Sequence, residues 1–70
     1  MTDRVICRSD HDYIGYPIAF YWLDQRLEVT ELLLQNRTPK GYLFKVHNER
    51  FGDFELTYDL HTDQWSVHQL

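Results

Sequence analysis

Three polar side chains near the C-terminus, Asp59, His61 and Asp63, occupy every second position of the sequence. Side chains alternate between the two faces of an extended strand, so these three would share one face of a strand. Two carboxylates and an imidazole in such a row are typical of a metal site or of an acid–base group. The row exists only if one strand runs through all three residues. The surrounding elements therefore decide whether these residues could form a site or belong to a turn.

A second polar group near the N-terminus also has the composition of a metal site. Asp10, His11 and Asp12 follow Cys7 at short spacing. A structural zinc site takes four nitrogen or sulfur ligands at defined spacing, and one cysteine with scattered histidines falls short of that. We therefore interpret residues 10–12 as a polar loop and Cys7 as a small residue of a short apolar strand.

Length, composition and charge limit the classes of function. Seventy residues form one small domain, which buries only about 60% of the surface that its unfolded chain exposes. We take the aromatic content of 16% as the main compensation, because a single cysteine allows no internal disulfide and is typical of a reducing compartment. The net charge of −4 opposes binding to nucleic acid through its phosphates. No apolar stretch approaches the roughly 20 residues that span a bilayer, so we expect a cytoplasmic protein.

The sequence of the N-terminal half predicts strands, except in one segment that could be either a strand or a helix. Residues 18–23 alternate with a period of two, which indicates a strand. A second strand starts at Leu27, with Leu27 and Val29 on one face. The later leucines, Leu32 and Leu34, would then fall on the opposite face. A β-bulge near Thr30 and Glu31 would return the later leucines to the core side. A helix over residues 24–35 is the alternative, because this segment is rich in helix formers.

The sequence of the C-terminal half predicts how its strands pair. Three segments with alternating apolar residues are separated by polar turns, and they lie around Phe44, Leu56 and Val67. We place the loop between the second and third segments at residues 60–63. Two independent choices of loop then give the same layers of facing residues, which are Tyr42–Tyr58–Trp65 and Phe44–Leu56–Val67, with Val46 opposite Phe54. Because a slip of one residue would turn every apolar side chain to solvent, this register is well specified.

The same register arranges the opposite face of the sheet and resolves the opening row. Lys45, Glu55 and His68 fall side by side on this face, and we interpret them as a solvated charge ladder. Asp59 and Asp63 fall at the loop, where aspartate side chains commonly accept bonds from backbone N–H groups. We therefore expect a turn here, and no catalytic residue, metal ion or cofactor in the chain.

These features predict an all-β fold, a single antiparallel meander of about five strands that forms a curled sheet or a small half-open barrel. The helix over residues 24–35 would instead give an α+β fold. We expect one domain over residues 1–70, with residues 1–16 partly mobile and the β core over about 17–69.

Several short segments carry a family resemblance. They are "PIAFYW" at residues 17–22, Val29, "FELTYD" at residues 54–59, Trp65 and Val67. In these segments the chain resembles a small bacterial all-β domain family of unknown function. Members of that family occur as short stand-alone proteins and beside proteins that are similar to Y-family polymerases of DNA damage tolerance. The resemblance implies a bacterial cytoplasmic setting and an accessory link to damage tolerance, and it transfers no catalytic residue.

We therefore expect a small non-catalytic binding or accessory domain rather than an enzyme. The preferred function is protein–protein interaction or self-association, through an uncovered face that includes Ala19, Tyr21 and Leu23, together with Phe51. The alternative is a nucleic-acid-associated module linked to DNA repair or damage tolerance. Its predicted contact residues are the basic side chains of two neighbouring turns, Arg37, Lys40 and Arg50.

Overall fold

A computed structural model describes residues 4–8 and 15–70, which form seven strands in two antiparallel sheets. The strands are β1 (Val5–Arg8), β2 (Tyr16–Trp22), β3 (Gln25–Glu28), β4 (Glu31–Arg37), β5 (Gly41–Asn48), β6 (Gly52–Asp59) and β7 (Gln64–Gln69). The first three strands form one sheet in the order β1-β2-β3, and the other four form a second in the order β4-β5-β6-β7. Within the described residues no helix is present that could cross a membrane.

The predicted all-β class is confirmed, and the sheets are not closed into a barrel. The alternative helix over residues 24–35 is wrong, because that segment contains β3 and most of β4. The strand number differs from about five for two reasons. The short strand β1 pairs with β2 ahead of the predicted core, and the segment after Trp22 is divided between the two sheets.

The chain passes from one sheet to the other at Val29 and Thr30. The backbone nitrogen of Val29 donates a bond of 2.9 Å to the carbonyl oxygen of Ile18 in the first sheet. The next nitrogen, that of Thr30, donates a bond of 2.9 Å to the carbonyl oxygen of His47 in the second sheet. Adjacent residues therefore belong to different sheets, which a helix with local hydrogen bonds would not allow.

The predicted register of the C-terminal half is confirmed at every pair. Tyr42 lies opposite Tyr58 and Tyr58 opposite Trp65, while Phe44 lies opposite Leu56 and Leu56 opposite Val67. The rings of Tyr58 and Trp65 lie 5.0 Å apart between centroids. This hairpin pattern places one apolar face of the sheet toward the core.

The core lies between the two sheets. Its fully buried cluster is Phe20, Leu27, Phe44, Val46, Phe54 and Leu56. The ring centroids of Phe20 and Phe54 lie 4.8 Å apart, and those of Trp22 and Phe54 lie 5.2 Å apart. Tilted aromatic contacts of this kind stabilise a core beyond the area that they bury. Aromatic packing is therefore a main source of core stability in this small domain.

The bulge that the sequence predicts near Thr30 and Glu31 lies slightly later in the chain. Leu32 pairs with Val46 and Leu34 with Lys45, so Leu33 is the extra residue of β4. The prediction that the bulge returns the leucines to the core is wrong. All seven residues of β4 are exposed, as expected for a strand at the edge of its sheet.

Candidate interaction surface

The structure confirms that Asp59 flanks a turn and that His61 and Asp63 lie in it. Asp59 pairs with Gln64, and residues 60–63 form the loop between β6 and β7. Oδ1 of Asp59 accepts bonds from two backbone nitrogens, 2.8 Å from that of His61 and 3.3 Å from that of Thr62. The aspartate therefore stabilises the turn, as such side chains commonly do.

Asp63 has a separate partner. The hydroxyl of Tyr58 donates a hydrogen bond to Oδ1 of Asp63. This bond, partial desolvation and the negative charges of Asp63 and Asp59 raise the pKa of Tyr58 above its ordinary value. The tyrosine thus remains a neutral donor that holds the end of the loop, and the row does not form a shared face.

The polar row of the second sheet lies where the register predicts. Lys45 pairs with Glu55, and Glu55 with His68, on the face that points away from the core. Next to this row, Nδ1 of His47 lies 2.7 Å from Oδ1 of Asp53. Pairs on this partly exposed face are screened by water and contribute little to stability.

Metal ligands are not brought together in the part of the chain that the structure describes. Over residues 4–8 and 15–70, no group of three or more His, Cys, Asp or Glu side chains could hold a metal ion. The sequence candidates Asp10, His11 and Asp12 lie outside the described residues. Cys7 lies in β1, half-buried, and its burial raises the pKa of its thiol to about 11. A thiol with so high a pKa is a poor nucleophile at neutral pH.

The predicted partner residues are divided between two places. Tyr21 is half-buried, and the guanidinium carbon of Arg4 lies 4.6 Å from the centre of its ring. Leu23 is 71% exposed at the tip of the β2–β3 turn. Phe51 packs against the ring of Trp22, the residue before Leu23, at 5.4 Å. Ala19 is fully buried, so the expected uncovered face at this residue is wrong.

The predicted basic residues do not form one patch. Arg37 and Lys40 flank the turn between β4 and β5, whereas Arg50 lies in the turn between β5 and β6. The eight residues of β5 separate these two turns, a distance of about 25 Å at the usual rise per residue. The guanidinium groups of Arg37 and Arg50 also lie over aromatic rings, those of Tyr42 and Phe51.

Sequence reasoning missed an exposed apolar run in β4. Leu32, Leu33 and Leu34 are consecutive residues of β4 and are 37%, 42% and 40% exposed. Natural edge strands often carry charged residues, especially lysine, or proline at such positions, and these residues discourage pairing with another chain. The signal in the sequence was the run of three leucines at the point where the period of two fails.

An apolar groove continues this edge. It has a volume of about 210 Å³ and lies between the start of β2 and the start of β4. Its lining residues are Tyr16, Pro17, Ile18, Val29, Thr30, Glu31 and Leu32. Because Leu32 belongs to both features, the groove and the exposed leucines form one surface, which we call the β4 edge.

The other strands at the edges of the described sheets differ from β4. Strands β1 and β3 have four residues each. Strand β7 has six, and its exposed residues are polar, namely Gln64, Ser66, His68 and Gln69. A second, larger groove of about 470 Å³ lies between the β4–β5 turn and strands β6 and β7, and it does not adjoin the leucines of β4. Only β4 among these edges combines length with adjacent apolar side chains.

Comparison of the sequence and structure with protein-family models, curated proteins and solved structures gives no significant match. The resemblance of the "PIAFYW" and "FELTYD" segments to a bacterial family therefore stays a prediction. The fold and the surface define a class, which is a small all-β domain of two antiparallel sheets with an apolar edge strand.

Proposed function

We propose that this chain is a non-catalytic protein-interaction domain, and that it binds an extended protein segment along the β4 edge. The observation that carries the proposal is the exposure of Leu32, Leu33 and Leu34 on one edge strand. Strand addition to a sheet edge is a common mode of protein recognition, in which backbone bonds give affinity and side-chain contacts give specificity.

The backbone of β4 supports this mode of binding. Thr38 and Gly41 each donate a backbone N–H to the other's carbonyl oxygen, at 2.9 and 3.2 Å. Hydrogen-bonded and non-hydrogen-bonded pairs alternate along an antiparallel ladder. Counting back from Thr38, the backbone groups of Gln35 and Arg37 therefore point away from β5. These groups are available to a strand that pairs with β4.

The side chains supply the apolar part of the surface. Exposed apolar residues that are adjacent, with a groove beside them, mark interaction sites more often than leucines scattered singly. Thr30 and Glu31 add a hydroxyl and a carboxylate to the lining of that groove. Protein interfaces commonly combine apolar contacts with polar groups of this kind.

The cellular setting is also part of the proposal. We infer a cytoplasmic protein, since Cys7 is a free thiol and reducing compartments keep thiols unpaired. The nucleic-acid alternative loses its motivating patch, because Arg37 and Lys40 lie at one end of β5 and Arg50 at the other. A role as an accessory of damage tolerance is compatible with protein binding and rests on the family resemblance alone.

Affinity capture with matched variants tests the proposed surface. Leu33→Lys and Leu34→Lys each place a charge on the β4 edge without emptying the core, and Leu23→Lys is the matched control in the other sheet. The tagged proteins are used to capture partners from the cells that produce the protein, and the captured proteins are quantified by mass spectrometry.

We expect proteins held by the unmodified chain to be retained by Leu23→Lys and lost by both β4 variants. Circular dichroism at several temperatures checks that all variants remain folded. Equal capture by all four proteins would contradict the proposed surface. Loss in Leu23→Lys alone would assign binding to the turn near Phe51 instead.

A further inference from the structure

Residues 34–37 of β4 form the regular half of the edge strand, beyond the bulge at Leu33. Resting on the proposed function, we propose that the extended segment bound there is acidic at one end and apolar at the other. In that segment an acidic residue lies opposite Arg37, and the third residue after it is apolar and lies opposite Leu34. The segment runs antiparallel to β4, as the paired strands of both sheets do.

The register of β4 on β5 places these two side chains on different faces of the sheet. Arg37 pairs with Tyr42 on the core-side face, and its guanidinium carbon lies 5.7 Å from the centre of that ring. Leu34 pairs with Lys45 on the outward face and is 40% exposed. Side chains alternate between faces along a partner strand in the same way. Two partner residues three positions apart therefore lie on opposite faces, as Leu34 and Arg37 themselves do.

The free backbone groups of β4 fix where the partner residues fall. Because the backbone groups of Gln35 and Arg37 point away from β5, a residue opposite Arg37 can exchange two hydrogen bonds with it. Three residues further along an antiparallel partner is the position opposite Leu34, in a non-hydrogen-bonded pair. Side chains lie closest in pairs of that kind. An apolar side chain at this position therefore covers Leu34.

The charges around this half of β4 favour an acidic partner residue. Residues 34–45 include three basic side chains and no acidic one, although the whole chain has 11 acids against 7 bases. The three are Arg37, Lys40 and Lys45. Arg37 and Lys40 are exposed, and over residues 4–8 and 15–70 neither forms an ion pair with a carboxylate. Opposite charges that face each other across two strands stabilise the pair.

The nearby carboxylates of the chain do not replace that partner residue. Asp59 lines the larger groove together with Lys40, and its Oδ1 accepts two backbone N–H groups of its own loop. Glu31 begins β4 on the other side of the bulge. An acidic partner residue is therefore favoured at the Arg37 end of the edge and opposed at the Glu31 end, where like charges would meet.

Selection from a displayed library of random short peptides tests this chemistry without assuming a partner. The unmodified chain, Arg37→Glu and Arg50→Glu are each used to enrich the peptides that they bind. Arg50 is the matched control, because it is also exposed and its guanidinium carbon also lies over an aromatic ring, 5.2 Å from the centre of Phe51. Circular dichroism checks that all three proteins are folded.

We expect the unmodified chain to enrich peptides in which an acidic residue precedes an apolar residue by three positions. Arg37→Glu should enrich a basic residue at the acidic position, and Arg50→Glu should enrich the same peptides as the unmodified chain. For one enriched peptide, fluorescence anisotropy should show binding to Arg37→Glu that is about tenfold weaker. A single-stranded oligonucleotide of the same net charge should not compete with that peptide.

The outcomes separate this inference from the proposed function. Enrichment of no peptide, or of peptides whose acidic position does not respond to Arg37→Glu, would overturn the acidic segment. An acidic residue that follows the apolar one would overturn the antiparallel register, and competition by the oligonucleotide would assign Arg37 to nucleic acid.

The proposed function survives each of these results if Leu33→Lys and Leu34→Lys still lose a captured partner. If those two variants change neither capture nor peptide binding, the interaction surface itself is wrong.

Discussion

The side-chain nitrogen of Asn48 donates a hydrogen bond of 2.9 Å to the backbone carbonyl of Glu28, and this bond joins the two sheets. Asn48 is 4% exposed, and its side-chain oxygen accepts bonds from the backbone nitrogens of Arg50 and Phe51, each at 3.0 Å. One buried amide thus stabilises the β5–β6 turn and holds the end of β3 beside it. The place where the chain leaves the first sheet for β4 depends on this residue.

Replacing Asn48 should therefore destabilise the whole domain. Asn48→Ala removes three bonds and leaves backbone groups unpaired, which we expect to lower the free energy of unfolding by about 2–3 kcal/mol. Asn48→Asp keeps the acceptor of the turn, but it loses the donor to Glu28 and buries a carboxylate beside that carbonyl oxygen, so it should destabilise the domain at least as much as Asn48→Ala. Urea denaturation measures both, with Glu49→Ala as an exposed control in the same turn. Equal stability of Asn48→Ala and the control would contradict this role.

Two glycines should respond differently to the same substitution. A Cβ atom at Gly41 would collide with the carbonyl oxygen of Tyr58, whereas a Cβ atom at Gly52 would meet nothing within 4 Å. We expect Gly41→Ala to cost about 2–3 kcal/mol through steric strain. Gly52 has a φ of 88°, so Gly52→Ala should cost about 1 kcal/mol through its backbone alone. Thermal unfolding of both variants checks the order, and the reverse order would contradict the close approach at Gly41.

The β2–β3 turn contains residues that its backbone does not favour. Trp22 pairs with Gln25, and the two residues between them, Leu23 and Asp24, have φ values of 51° and 62°. Such two-residue turns favour Asn followed by Gly. We expect the double substitution Leu23→Asn with Asp24→Gly to raise the free energy of unfolding by about 1 kcal/mol. Urea denaturation measures the gain, and Gln25→Asn, outside the strained pair, should give none. A loss of stability in the double variant would show that Leu23 contributes contacts that its exposure does not reveal.

The half-buried thiol predicts a dependence of stability on pH. Burial raises the pKa of Cys7 from 9.0 to about 11. Between these values the unfolded chain releases the thiol proton and the folded chain keeps it, so the free energy of unfolding falls as pH rises. Cys7→Ser should show a smaller fall over this window than the unmodified chain, and the same pH dependence as that chain between pH 7 and pH 8. Identical profiles above pH 9 would contradict burial of the thiol.

The C-terminal half of the fold was predictable because its determinants are local. Tyr42, Tyr58 and Trp65 repeat with a period of two between short turns, so a single register buries the apolar set. The loop at residues 60–63 followed from the same register, and with it the assignment of Asp59 as a turn residue.

The N-terminal half was less predictable because its determinants lie far apart in sequence. The division after β3 depends on bonds from Val29 to Ile18 and from Thr30 to His47, and no local pattern encodes either. The leucines of β4 were expected in the core because a bulge near Thr30 and Glu31 would have returned the apolar phase to that side. Their exposure follows from the order of strands in the sheet, which the residues of β4 do not themselves specify.

Contact between a partner and the β4 edge is measured most directly by photocrosslinking from Leu34. Leu34→Cys, made with Cys7→Ser so that no other thiol is present, carries a thiol-linked photocrosslinker at an exposed position of β4. Ser66→Cys, an exposed position on the opposite edge strand β7, is the matched control.

Both labelled variants are irradiated at the same protein concentration in extract of the cells that produce the protein, and the crosslinked proteins are quantified by mass spectrometry. We expect a partner to be crosslinked from Leu34→Cys and not from Ser66→Cys. Equal crosslinking from the two positions would contradict binding along the β4 edge.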